Sequence, residues 1–286
     1  MSYLLGYYGG KIGPVGAWIA AQLPPHKIYV EAFGGMAGVL MQKRPAPVEV
    51  YNDRAQELDN LMRVVREQPK ELRLALELTQ YGRQEYKRCI ATRHEPGISE
   101  VERARRTYVI VAMGRDGSLN GKGFSFGGAA YKGSVADTFK NGQERIPWVS
   151  QRLRGVLLEC GSWQTVCRQH DGPDTLFYLD PPYVLSTRTG NYGYVYEMSD
   201  TEHEELLDWC LRARGKILLS GYDSALYAPL LAAGWVCRRL PVVAHSSAAR
   251  QKKGTRAERV ECLWLNPQAA AYTLTLFCAQ HAAVAL

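Results

Sequence analysis

Three short, β-prone apolar runs in this 286-residue chain each bring an acid near their carboxyl end. KIYVEAF (27–33) carries Glu31, VEVYN (48–52) is followed at once by Asp53, and the run Leu176–Leu179 in TLFYLDPPYVLS (175–186) delivers Asp180. Runs of this length read as buried strands, with helices between them. From Ala55 to about Arg66, Leu58, Leu61, Met62 and Val65 recur at spacings of three and four, a helical face. Further helices are expected over 70–80 and 84–92, and after the cap-like Ser199 in SDTEHEELLDWCLRA. GVLLECGSW (155–163) resumes regular structure, and KILLSGYDS is another buried strand. WVCRRLPVVA and RVECLWLNP read as two strands joined by a basic loop, 245–259. That order predicts an α/β fold with a mostly parallel sheet and one C-terminal antiparallel hairpin. Over 114–147 glycine, serine, lysine and isolated aromatics leave no period, so irregular structure is expected there.

In an open α/β sheet ligands bind beyond the carboxyl ends of the strands, where these three acids belong. Glu31 precedes FGGMAG, whose missing side chains admit a close backbone approach; Asp53 follows 22 residues later, placed to accept both hydrogens of a ribose diol. The glycines depart from G-x-G-x-x-G and no GxxxxGK[ST] occurs, which disfavours simple NAD or ATP sites. Asp180 opens Asp180-Pro181-Pro182-Tyr183. Two prolines stiffen the strand exit and withhold two N–H groups, leaving carbonyls beside the carboxylate as acceptors. Tyr183 adds a flat π-face. Acceptors beside an aromatic plate suit an exocyclic amino group on a planar base; a proline-stiffened turn with a buried tyrosine is the plainer alternative.

The formal net charge is +7, and residues 83–154 hold 14 Lys/Arg against 7 Asp/Glu while the remainder is balanced. An acidic partner for that segment or a solvated basic surface both account for it. The seven cysteines are scattered without C-x-x-C and the six histidines without H-E-x-x-H, so reduced thiols and no structural metal are expected. No apolar run reaches the roughly 18 residues of a membrane span, and the N-terminus lacks secretory features, which predicts a cytoplasmic protein.

Taken in order, YYGGKIG, YVEAFGGMAGVL, YNDRAQELDNLMRVVR, YLDPPYVLSTRTGNYGYVYEMSDTEHEELL and LLSGYDSALY resemble the Dam-like (D12 class) DNA adenine-N6 methyltransferases over most of residues 3–266. The resemblance implies a Rossmann-like S-adenosylmethionine-dependent methyltransferase fold. Its catalytic domain would be 1–82 with 155–286, and 83–154 an inserted target-recognition module. It implies methyl transfer from S-adenosylmethionine, released as S-adenosylhomocysteine, to N6 of an adenine flipped out of double-stranded DNA. On that pattern Tyr7, Lys11, Glu31, Phe33, Gly34, Gly35, Asp53, Trp163 and Asp180 contact the cofactor. Asp180, Pro181, Pro182 and Tyr183 form the catalytic motif, with Tyr183 stacking on the base. Trp163, in ECGSWQ, stands where the family often has Asp-Phe, with Ser162 replacing the aspartate.

Arg115, Asn120, Lys122, Lys132 and Arg188 are the candidates for contacts to DNA, chosen by position and type. The arginines that GATC-methylating relatives carry are absent from NGKGFSFGGAAYKG, which leaves the target site open. A cytosine-N4 methyltransferase is the nearest enzyme alternative, although such enzymes generally carry serine in place of Asp180. A catalytically inert DNA-binding protein on the same fold is the other. Monomer and homodimer, and a bacterial or phage gene with or without a restriction partner, are all compatible with the sequence.

Overall fold

The computed structural model describes residues 3–115, 117–126, 135–188, 193–243 and 258–272. Seven strands form one sheet: β1 (Ile28–Glu31), β2 (Val48–Asn52), β3 (Val156–Glu159), β4 (Thr175–Leu179), β5 (Lys216–Gly221), β6 (Val236–Val243) and β7 (Glu258–Leu265). Their order is β3-β2-β1-β4-β5-β7-β6. The first five are parallel, with Val30 opposite Val50 on one side and Phe177 on the other. β7 runs antiparallel between β5 and β6, so the expected closing pair is present. Strand order reverses between β1 and β4, which opens a crevice at their carboxyl ends.

Side chains alternate across the sheet as a pleated strand dictates. Tyr29, Tyr51, Tyr178, Leu218 and Leu263 enter one core, and Val30, Val50, Phe177, Leu219 and Trp264 the other. The first core is covered by α2 (Gln56–Glu67), α3 (Pro69–Glu77), α5 (Glu100–Met113) and α6 (Val135–Leu153), with α4 (Arg83–Ala91) packed on α5. The second lies under α7 (Trp163–His170), α8 (Asp200–Arg212) and α9 (Ala228–Ala232). A short helix near the N-terminus, Gly13–Ala20, is α1. Both sheet faces are therefore buried, which is why its central strands are near-continuously apolar. Ser199 begins α8 with a reciprocal capping box, its hydroxyl accepting from Glu202 N–H while the Glu202 carboxylate accepts from Ser199 N–H.

The expectation of irregular structure over 114–147 holds for 114–115 and 117–126 and fails from Val135, where α6 begins. Gly142 and Pro147 disguise that helix, since each weakens a helical interior. Its buried stripe is nonetheless regular: Phe139, Ile146, Val149 and Leu153. Gly142 is required by a close approach, because a Cβ there would run into the Tyr108 hydroxyl. At the other end of α6, Arg152 pairs with Glu49 at 2.5 and 2.8 Å, and Lys43 pairs with the same carboxylate at 2.5 Å. α6 is thereby pinned to β2.

Candidate active site

The crevice at the carboxyl ends of β1, β2 and β4 is a deep pocket. Its walls come from the N-terminal loop (7–12), the glycine turn after β1, residues 52–55, residues 161–164, Asp180 with Pro182, and the segment 194–198. The turn is clamped from below. Gly34 N–H donates to the Asn52 carbonyl at 2.7 Å and the Tyr51 hydroxyl donates to the Gly35 carbonyl at 2.8 Å. A Cβ at Gly34 would collide with the Tyr51 ring, and Gly35 takes a left-handed φ of 52° against Tyr7. Asp53 fastens the same turn: its two oxygens accept from Gly35 N–H and Ala55 N–H, each at 2.8 Å. Each oxygen retains a further acceptor site, and Asp53 lines the cavity. Burial raises the Asp53 carboxyl above its ordinary value despite those bonds.

Glu31 lies deeper. One oxygen accepts from the Tyr29 hydroxyl at 2.7 Å and Leu40 N–H at 2.8 Å, while the other has no hydrogen-bond partner among the described residues. Burial pushes this carboxyl up to about 8. Beside β1 and the start of α7, the Phe33 and Trp163 rings lie tilted with centres 6.4 Å apart, and Trp163 is backed by Trp209. Ser162 accepts from Thr165 N–H and caps α7.

Asp180 leaves β4 into a four-residue ionic cluster. Lys11 Nζ donates to its two oxygens at 2.8 and 3.0 Å and to the Gly9 carbonyl at 2.8 Å. The ammonium also stands 4.7 Å from the centre of the Tyr183 ring, and the Tyr183 hydroxyl donates to Glu261 on β7. Burial lifts the Asp180 carboxyl to about 6; Lys11 pulls it down and the Glu261 charge pushes it up. Burial disfavours the Lys11 cation, but the charges of Asp180 and Glu261 outweigh that and hold it above the ordinary lysine range. Tyr183 is only 6 % exposed, edge-on to Tyr222 at 4.7 Å. Pro182 lines the cavity and Pro181 is buried behind it. Tyr183 thus sits under the lysine and is not an open plate at the rim.

Tyr7, Lys11, Glu31, Phe33, Gly34, Gly35, Asp53, Trp163 and Asp180 all converge on this one cavity. The candidates for DNA contact are more scattered. Arg115 is exposed, near the Phe126 ring, and Lys122 is exposed on the same turn, which an antiparallel bridge between Gly114 and Phe124 closes. The Asn120 amide donates to the Gly193 carbonyl, tying that turn to the pocket wall. Arg188 is internal: it pairs with Glu197 at 2.5 Å and lies over the Tyr194 ring. Lys132 and the loop 245–257 lie outside the described residues. Part of the basic surplus is likewise internal, since Arg105 pairs with Glu85 and Glu102, and Arg106 with Glu95 and Glu102.

Sequence reasoning missed Glu261 and the pocket tyrosines Tyr8, Tyr194 and Tyr196. The signal for Glu261 was a lone acid inside the apolar run VECLWL, which a buried strand does not tolerate without a partner. That partner is a chain neighbour only in three dimensions.

No helix among the described residues is long and apolar enough to cross a membrane. Among solved structures, the chain is similar to a precorrin 8w decarboxylase of Methanobacterium thermoautotrophicum. The match has 11% identity and a TM-score of 0.37, and covers 93% of this chain and 99% of that one, a likeness too distant to carry an argument. No curated protein matches the sequence significantly. Residues 7–232 match the model of the D12 class N6 adenine-specific DNA methyltransferases, a span that holds Lys11, the glycine turn, Asp53 and Asp180-Pro181-Pro182-Tyr183. With the strand order and the acid-lined crevice in agreement, the chain belongs to the D12 class of adenine-specific DNA methyltransferases.

Proposed function

We propose that the protein transfers a methyl group from S-adenosylmethionine to N6 of an adenine flipped out of double-stranded DNA. One observation carries this reading. A single cavity runs from Phe33, Asp53 and Trp163 at one end to Asp180 and Pro182 at the other, so two ligands bound there would meet.

The residues suit the methyl donor. Phe33 and Trp163 offer flat apolar walls for its adenine, Asp53 has acceptor sites left for a vicinal diol, and the unpaired oxygen of Glu31 suits an ammonium. When bound, S-adenosylmethionine supplies a methyl group already activated by its sulfonium.

At the other end, Asp180 accepts a hydrogen bond from the target amino group and turns the N6 lone pair toward the donor end; as the methyl group passes from sulfur to N6, the proton that N6 loses leaves through that hydrogen bond. Pro181 and Pro182 hold that carboxylate's exit from β4 rigid, and Tyr183 offers its ring to the base once Lys11 moves. Alignment of the two reactants is the main contribution asked of the protein. Extracting the base requires a few kcal/mol of unstacking and unpairing. Residues 1–82 and 155–286 serve as the catalytic body and 83–154 as the target-recognition insertion, anchored by the Arg152–Glu49 pair. Within the insertion Arg115, Asn120 and Lys122 lie on the turn that touches the pocket wall, with Lys132 a further candidate.

Base-resolution methylation mapping of DNA from a methylation-free bacterial host that expresses the chain tests the proposal. N6-methyladenine confined to one short motif is the expected result. N4-methylcytosine, or no mark from a protein that still binds DNA, overturns it.

A further inference from the structure

Glu261 lies on β7, two strands from β4, yet its side chain reaches the centre of the site. It is 6 % exposed. Its Oε1 accepts the Tyr183 hydroxyl and lies 3.6 Å from Lys11 Nζ. Lys11 meanwhile holds Asp180 at 2.8 Å and covers the Tyr183 ring. The lysine therefore occupies both groups that the proposed function assigns to the target base: the carboxylate that accepts its amino hydrogens and the ring on which it stacks. A base enters only if the lysine gives way. An ammonium whose side chain is 7% exposed is poorly stranded without a counter-charge, and Glu261 is the carboxylate already beside it. Glu261 sits at the hydroxyl edge of the ring, so movement of Nζ toward it slides the cation off the ring centre.

We infer that Glu261 is a positioning residue that takes Lys11 over from Asp180 as the base arrives, freeing the Asp180 carboxylate and the Tyr183 face. This rests on the assignment of Asp180 and Tyr183 to the base. It also explains why a strand far from the donor end carries a buried acid aimed at the motif.

The test is Glu261→Gln, which keeps the shape and an acceptor for the Tyr183 hydroxyl but removes the charge. Single-turnover transfer from labelled S-adenosylmethionine to duplex DNA should slow by roughly 10- to 100-fold, the scale of a misplaced reacting group. Donor affinity and the thermal midpoint should stay near the parent's, and Glu261→Asp should recover part of the rate. The Lys11 ammonium resonance in 15N-lysine-labelled protein should shift and exchange faster with water. A resonance that ignores Glu261→Gln overturns the inference whatever the activity. Loss of rate, donor binding and melting temperature together also overturns it, leaving Glu261 a structural acid. If the parent methylates no adenine, the underlying functional reading fails first, and the inference with it.

Discussion

Lys11 and Asp180, 169 residues apart in the chain, meet at 2.8 Å, and this ion pair joins the N-terminal loop to the end of β4. Both side chains are largely buried, so the pair is screened little by solvent and each member depends on the other. Glu261 at 3.6 Å from Lys11 makes the arrangement a shared cation between two acids.

Asp180→Ala is expected to lower methyl transfer by roughly 10³-fold, the range for loss of a positioned proton acceptor and its electrostatics. The fold should survive, because Lys11 retains Glu261 as a counter-charge. Donor affinity should change much less, since Phe33, Asp53 and Trp163 are untouched. Single-turnover assays beside calorimetric titration of S-adenosylmethionine separate the two; turnover equal to the parent's refutes the role of Asp180.

Glu31 gives a pH prediction. Its carboxyl is raised from 4.5 to about 8 by burial. A group raised in the folded state contributes stability that is fully present below its unfolded value and is lost as pH rises through the folded one. The ligand-free protein should therefore lose melting temperature between about pH 5 and pH 8. Glu31→Gln mimics the protonated acid and still accepts from Tyr29 and Leu40 through one oxygen. The variant should melt near the parent at low pH and above it at pH 8, and parallel curves for the two proteins would contradict this.

Salt dependence distinguishes the arginines. Arg115→Ala and Lys122→Ala, on the exposed turn, should each reduce the slope of log affinity against log salt by about 1. Arg188→Ala should leave that slope alone, because its guanidinium is already paired with Glu197. It should instead loosen the pocket wall around Tyr194 and weaken donor binding. Fluorescence anisotropy on one DNA duplex across a salt series reads all three.

Gly142→Ala probes the helix that composition concealed. Alanine is the better helix former, yet its Cβ would press on the Tyr108 hydroxyl and Leu5. Overpacking of this kind typically destabilises by about 1–3 kcal/mol, so the urea midpoint should fall. A rise would mean that the α5–α6 contact relaxes without penalty.

β2 is the element read most closely from sequence, Val48–Asn52 at both ends, because a short apolar run bounded by Pro47 and the Asn52-Asp53 turn has one reading. α6 was the least legible. Its apolar stripe is helical, but the reason for Gly142 lies in Tyr108 and the helix end is held by the Glu49 pair, neither of them local. The acids at 31, 53 and 180 were legible as a site because each ends a strand, and parallel strands bring their carboxyl ends to one edge.

By itself the sequence determined the alternation of strands and helices, the three acids at one sheet edge, the glycine turn and the D12 class, since all of these are written in local pattern and motif order. Only the tertiary structure decided which charges are free and which are spoken for. It paired Arg188 with Glu197, set Lys11 over Tyr183, and brought Glu261 from β7 to the Asp180 cluster. Those pairings depend on which strand lies next to which, and buried charges accept only partners that the fold delivers within a few ångströms.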